Sequence, residues 1–380
     1  MQAVLYLDHA ATTPLRPEAR AAMEPFAEDL FGNPSGVHEV SRRAKNAIEE
    51  ARERAAALLG GRPGEIVFTS GGTESDNAAL KGTALRGGRR GGVVTTAVEH
   101  EAVLESARFL ESLGCPVTIV GVNRYGQAEP DEMGAAVTPE TALVSVMSAN
   151  NETGARQPTR KVAEAARAVH PEVVVHTDAV QVFVSEDVKV DELGVDLLSL
   201  AAHKFGGPKG VGLLYVREGL ELEPVLHGGG QEGGRRSSTH NVMGIVGMVA
   251  AMEAAVDQLQ QFRSWVGEAR RRFEQRLRTA FPDLVLNGPT DDRLVQHSHL
   301  RIPGVLAETL LVRLDQVGLA ASAGSACQSG AAQVSHVLAA MGMERVEALE
   351  CLRFTFGWTT TPEDGDRAAA LVVGEVKALR

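Results

Sequence analysis

A lysine closes an apolar run in Leu197-Leu198-Ser199-Leu200-Ala201-Ala202-His203-Lys204, just before the glycine turn Gly206-Gly207-Pro208-Lys209-Gly210. Lysines ordinarily keep their charge in water. An amine held at the end of a hydrophobic strand, beside a histidine, therefore has the placement of a nucleophile toward a carbonyl. From these residues alone a solvated turn lysine is an equal reading, and the rest of the chain has to decide between them.

Two further stretches carry matching chemistry. Ile66 to Thr69 runs into Ser70-Gly71-Gly72-Thr73-Glu74, after which a helical pattern starts at once. Glycines let the backbone close around an anion, and the helix start offers free N–H groups, so this reads as a phosphate cup. The spacing matches neither common nucleotide loop. A plain capped helix after a glycine turn is the competing reading. Val173 to Thr177 ends in Asp178-Ala179-Val180-Gln181. A strand-end aspartate can keep a heterocyclic nitrogen protonated, or simply form a turn. In chain order, cup, aspartate and His-Lys pair describe a pyridoxal-phosphate site.

The elements that position them alternate. Short β-branched runs at 66–69, 93–96, 117–120, 143–147, 173–177, 196–200 and 211–216 are separated in part by helical stretches at 74–85, 102–113 and 159–169. This predicts a largely parallel sheet with helices on both faces, binding its ligand outside the strands' carboxyl ends. Residues 16–30 and 39–59 read as helices, the second ended by Gly60-Gly61. Residues 242–279 read as one very long helix leading to a smaller α/β unit. The expected division is a large domain over 15–255 and a small one formed by 1–14 with 256–380.

At 380 residues the chain suits two units rather than one core. A formal charge of −11 argues against nucleic acid or an anionic membrane as partner, and the basic clusters at 86–90 and 270–272 read as solvated faces. With no secretory leader pattern and no run of membrane-spanning length, a cytoplasmic location is expected. Three cysteines, Cys115, Cys327 and Cys351, cannot make a disulfide framework. Cys115 before a strand and Cys351 in a stretch read as helical fit buried small hydrophobes, whereas Cys327 does not.

Gly71-Gly72-Thr73-Glu74-Ser75-Asp76-Asn77, Glu99-His100, Asn150-Asn151-Glu152-Thr153-Gly154, Asp178-Ala179-Val180-Gln181, His203-Lys204 and Gly228-Gly229-Gly230-Gln231-Glu232 closely resemble the cysteine desulfurases, fold-type I pyridoxal-phosphate enzymes of the aminotransferase class-V group. The resemblance covers nearly the whole chain. It implies that Lys204 carries the cofactor covalently, that Asp178 partners the ring nitrogen and Gln181 the ring oxygen, and that Asn151 lies beside ring and substrate. His100 would stack on the ring and shuttle protons. Gly72, Thr73 and His203 would hold the phosphate, with Thr239 reaching in from a second subunit, so a homodimer is implied. Ser322-Ala323-Gly324-Ser325-Ala326-Cys327-Gln328-Ser329-Gly330 resembles the nucleophile loop of the group I enzymes, and Arg353, with Asn151 and Asn33, would bind the substrate.

Three positions depart from that pattern. Ala201 stands where relatives commonly place a hydroxyl on the phosphate, Ser238 replaces a usual glycine before Thr239, and 38–41 differs from the common segment. The C-terminal tail by which close relatives dock iron-sulfur scaffolds is also missing from the pattern after the last helix. The expected activity is conversion of L-cysteine to L-alanine with a persulfide on Cys327, destined for a protein acceptor in iron-sulfur, thio-cofactor or tRNA thiolation chemistry. The alternatives are selenocysteine lyase or cysteine sulfinate desulfinase activity on the same scaffold, or a catalytically silent scaffolding subunit.

Overall fold

The computed structural model describes residues 4–324 and 334–380. Seven strands form one sheet: β2 (Ile66–Thr69), β3 (Gly92–Thr96), β4 (Val117–Val120), β5 (Thr141–Ser145), β6 (Val174–Asp178), β7 (Leu197–Ala201) and β8 (Gly212–Val216), in the order β2-β8-β7-β6-β5-β3-β4. All neighbours are parallel except at β8, which runs against both β2 and β7. The sheet is thus mostly parallel, as the alternation predicts, with one reversed strand inside it. Strands β2, β3, β7 and β8 are buried at every residue, which is why they read as continuous apolar runs rather than alternating ones. Edge strand β4 is partly exposed.

Each face of the sheet has its own apolar layer. Val67, Leu143, Leu197 and Leu214 pack with Leu80, Ala84, Val103 and Leu110 from the helices Gly72–Ala84 and Glu101–Ser112. On the other face Phe68, Val144, Val175, Leu198 and Leu213 join a larger core with Ile48 and Ala55 of helix Glu39–Leu59, Val162 of Thr159–Val169 and Met248 of Val242–Asp257. Helix Glu39–Leu59 buries Ala44, Ile48, Ala51, Ala55 and Leu59, a helical spacing, and stops where Gly60 takes φ +73°.

The expected single helix over 242–279 is two helices, Val242–Asp257 and Leu259–Ala280, bent by 71°. Neither glycine nor proline stands at the break. Gln258 is held there by tertiary contacts: its Oε1 accepts from Arg16 at 2.7 Å. The first helix is apolar almost all round and lies in the core, while the second is amphipathic and packs against Pro362–Leu379. Among the described residues no single helix is long and apolar enough to cross a membrane.

Beyond the bend, β9 (Val285–Leu286), β10 (His297–Arg301) and β12 (Cys351–Thr355) form a three-stranded antiparallel sheet. Cys351 therefore starts a strand and not a helix; its run Cys-Leu-Arg-Phe-Thr is buried on both faces, so strand alternation is masked. The two chain ends meet here. Strand β1 (Leu5–Tyr6) pairs in parallel with β11 (Leu319–Ala320), and Thr355 N donates to Leu7 O at 2.7 Å.

Candidate active site

Five stretches that carry the proposed chemistry follow the carboxyl ends of parallel strands: Ser70–Thr73 after β2, His100 after β3, Asn151 after β5, Asp178 at the end of β6 and Lys204 after β7. Parallel strands point all these ends the same way, so residues far apart in sequence gather along one edge of the sheet.

The cup is built as its glycines suggest. Gly71 takes φ +154°, a conformation that disfavours a side chain, and Gly72 starts the helix. Glu74, at the edge of the cup, is held there: its Oε2 accepts from Ser70 N at 2.8 Å and its Oε1 from Arg236 at 2.7 Å. A cleft of about 350 Å³ opens over Gly72, Thr73, Thr12, His203 and Lys209. Ala201 lies against its floor, 3.5 Å from where a Cβ on Gly72 would stand, and offers no donor.

Residues 10–12 form the other wall. Lys204 Nζ donates to the carbonyls of Ala10 and Ala11, at 2.6 and 2.9 Å, and Gln181 Nε2 donates to the same Ala10 carbonyl at 3.1 Å. His203 Nδ1 lies 3.1 Å from Thr12 Oγ1. Burial, and after it the charge of Arg353, brings the Lys204 ammonium down to about 8, so near neutral pH a share of the amine is free to react. Burial likewise lowers His203 to about 4, leaving its ring neutral.

Asp178 is buried, with Oδ1 accepting from Val180 N at 2.9 Å. Burial pushes its carboxyl up, and the charges of His100 and Lys204 pull it back. Beneath it His176 bridges Ser145 and Ser199 at 2.8 and 3.0 Å and is kept neutral by burial, at about 3. His100 caps helix Glu101–Ser112, its Nδ1 accepting from Ala102 N at 3.1 Å, which leaves Nε2 as the protonated nitrogen of the neutral ring. Burial lowers its pKa; Asp178 then raises it and Lys204 lowers it.

Arg353, 5 % exposed in β12, reaches in from the small sheet. Its Nη1 donates to Asn151 O at 2.9 Å and its Nη2 to Asp8 Oδ1 at 2.8 Å, while buried Nε has no partner. Sequence reasoning missed Asp8 as this partner; Tyr6-Leu7-Asp8 carried only the resemblance, with nothing to pair it with a residue 345 positions away. It also missed the carbonyls of Ala10 and Ala11, which no residue type can signal.

Two sequence candidates stand apart from this cluster within the chain. Asn33 is exposed and accepts from Ser35 N at 3.0 Å, and Thr239 is exposed at the end of the glycine-rich loop. Cys327 lies outside the described residues. The doubt over Ser238 resolves into a backbone fact: it takes φ +140°, a region suited to glycine. Ser238→Gly is therefore expected to stabilise the chain by about 1 kcal/mol, after the entropic cost of glycine, and to raise Tm by about 2 °C. A melting curve shifted down would mean that the serine side chain contributes more than its backbone costs.

An α/β sheet of this order, with a cup, a strand-end aspartate and a strand-end lysine along one edge, has the architecture of the fold-type I transferases. The aminotransferase class-V family matches residues 5–367, and the chain belongs to it. Within that family its relatives are cysteine desulfurases. It is 45% identical over 365 residues to the cysteine desulfurase IscS of Dictyoglomus turgidum, covering 96% of this chain and 92% of that one. Among solved structures, a NifS-like protein superposes with a TM-score of 0.92 at 35% identity, over 99% of this chain and 100% of that one. SspA, solved in complex with cysteine, gives a TM-score of 0.81 at 34% identity, over 92% and 98%.

Proposed function

We propose that this chain is a pyridoxal-phosphate-dependent cysteine desulfurase, which converts L-cysteine to L-alanine and keeps the sulfur as a persulfide on Cys327. The observation that carries this is the nearness of Lys204 to the charges of Asp178 and Arg353, beside a cleft over the glycine cup that its neighbour His203 lines. The residues fit the cofactor. An anion is served by the start of helix Gly72–Ala84, with Gly72, Thr73 and His203 as its neighbours. A protonated ring nitrogen is served by Asp178, a buried carboxylate in need of a positive partner.

When bound, pyridoxal phosphate supplies an electron sink for the pair released at the substrate's α-carbon. The chain does the rest. Arg353, with its unpartnered Nε, and Asn151 beside it orient the cysteine carboxylate. Lys204, with its lowered pKa, takes and returns the α-proton. His100, whose Nδ1 is taken by Ala102 N, carries its proton on Nε2 and serves as proton carrier, and Gln181 sits against Lys204 through their shared carbonyl. The Cys327 thiolate attacks the substrate sulfur: an S–S bond forms, the C–S bond breaks, and the carbon skeleton takes up protons as alanine.

A homodimer, in which Thr239 and Asn33 of one subunit serve the other's cleft, gives a role to both residues that stay outside the cluster. A cytoplasmic setting suits a reactive thiol, and a protein acceptor then consumes the persulfide. The test is a single turnover with limiting L-cysteine, followed by mass analysis. Equal amounts of alanine and of Cys327 carrying one extra sulfur are expected; alanine with the sulfur on Cys115 or Cys351 overturns the assignment.

A further inference from the structure

The reversed strand β8 brings to the cup a cation that the chemistry above leaves unused. This strand lies between β2 and β7 and runs against both, with Gly212 opposite Thr69 on one side and Ala201 on the other. Its amino end therefore stands at the edge where β2 and β7 end, and the turn that leads into it borders the cup. Lys209 sits in that turn between Pro208, whose ring fixes its own backbone, and Gly210, at φ +78°. Together with Thr12 and His203 it lines the cleft over Gly72 and Thr73. Lys209 is exposed and forms no hydrogen bond or ion pair with any described residue.

A phosphate monoester carries about −1.5 to −2 charges at neutral pH. The start of helix Gly72–Ala84 answers about half a charge of that. Among the described residues that line the cleft, Glu74 is the one acid, and it is already satisfied: Arg236 Nε and Nη2 donate to it at 2.7 and 3.1 Å and Ser70 N at 2.8 Å. The Arg236 charge is spent on the same pair. His203 is a neutral ring, lowered to about 4 by burial first and then by the charges of Lys204 and Lys209, so it offers a hydrogen bond and no charge. Lys209 is thus near enough to act on the ring that borders the anion. Strand β7 ends in Ala201 and Ala202, which bring no side-chain donor, and Lys204, held by the Ala10 and Ala11 carbonyls, is assigned to the aldehyde. We propose that Lys209 is the phosphate cation of this cleft: its ammonium pairs with the cofactor's phosphate and makes the cleft select pyridoxal phosphate over unphosphorylated pyridoxal. This rests on the pyridoxal-phosphate reading. Because Lys209 is exposed, the pairing is screened by salt.

The test titrates the cofactor-free wild-type, Lys209→Met, Lys209→Gln and Lys209→Arg chains with pyridoxal phosphate and, separately, with pyridoxal, following the near-visible band that either aldehyde forms with Lys204. Both ligands use the same amine, so the ratio of their Kd values isolates the phosphate. For Lys209→Met and Lys209→Gln we expect Kd for pyridoxal phosphate to rise about tenfold, while Kd for pyridoxal stays within about twofold. Lys209→Arg, which keeps the charge, holds the ratio within about threefold of wild type. Raising sodium chloride from about 0.05 M to about 0.5 M weakens pyridoxal phosphate binding about fivefold in the wild type and about twofold at most in Lys209→Met. Should Lys209→Met fail to fold, Lys209→Gln carries the same comparison. Equal weakening of both ligands, or an unchanged Kd for pyridoxal phosphate in the neutral variants, overturns the role of Lys209 alone. Absence of a saturable band with either aldehyde in the wild-type chain overturns the reading beneath it.

Discussion

Replacing Lys204 with alanine is expected to bleach the purified protein and to lower kcat by about 10⁴-fold or more. The near-visible band of a lysine-bound pyridoxal phosphate requires a lysine amine, and Lys204 Nζ is the one that the Ala10 and Ala11 carbonyls hold beside Gln181, whereas Lys209 lines the cleft over the cup. The cup does not depend on that amine, so the colourless variant still binds added pyridoxal phosphate in equilibrium dialysis. Retained colour would mean that another lysine carries the cofactor. The same residue sets a pH dependence. With its pKa brought from 10.5 to about 8 by burial, the neutral, nucleophilic amine is half formed at about pH 8 and nearly complete about one unit above it. Uptake of pyridoxal phosphate by the cofactor-free chain should accelerate up to about pH 8 and then level off. Continued acceleration toward pH 10 would place the amine in water.

Replacing Cys327 with serine is expected to reduce alanine and sulfur release from L-cysteine to about 1% or less while selenocysteine breakdown survives. An alcohol cannot form the S–S bond that removes sulfur from the substrate, and a free thiol, with a pKa of about 8.5, is already a few per cent thiolate at neutral pH. The other two thiols cannot substitute. Cys115 is 3% exposed with its pKa raised by burial, and Cys351 is 1% exposed with its thiol pushed up to about 12 by burial. Product analysis by chromatography for both substrates reads this directly. Cysteine turnover near wild type would reassign the chain to the lyase or desulfinase reading.

The residues most legible in sequence were those whose role is written in their own type and local setting. Lys204, Asp178 and the Ser70–Glu74 turn each end a strand, and an apolar run broken by a charge or a glycine pair is visible without tertiary knowledge. What stayed hidden depended on partners. Asp8 gains its meaning only opposite Arg353, the Ala10 carbonyl only opposite Lys204, and the bend at Gln258 only because Arg16 claims its amide. Cys351 was misread because a strand buried on both faces loses the alternation that marks strands. Thr239 and Asn33 were legible as residues of interest but have no partner to meet in the single chain's cleft.

The contact of Leu5 and Tyr6 with Leu319 and Ala320 makes the cleft a product of both ends of the polypeptide. A chain still being translated can already own the glycine cup, the aspartate and the lysine, yet until residue 353 is made Asp8 lacks its arginine and Ala10 N its bond to Thr355 Oγ1. The geometry around the amine is thereby completed only after Cys351–Thr355 has been made and has joined residues 5–10.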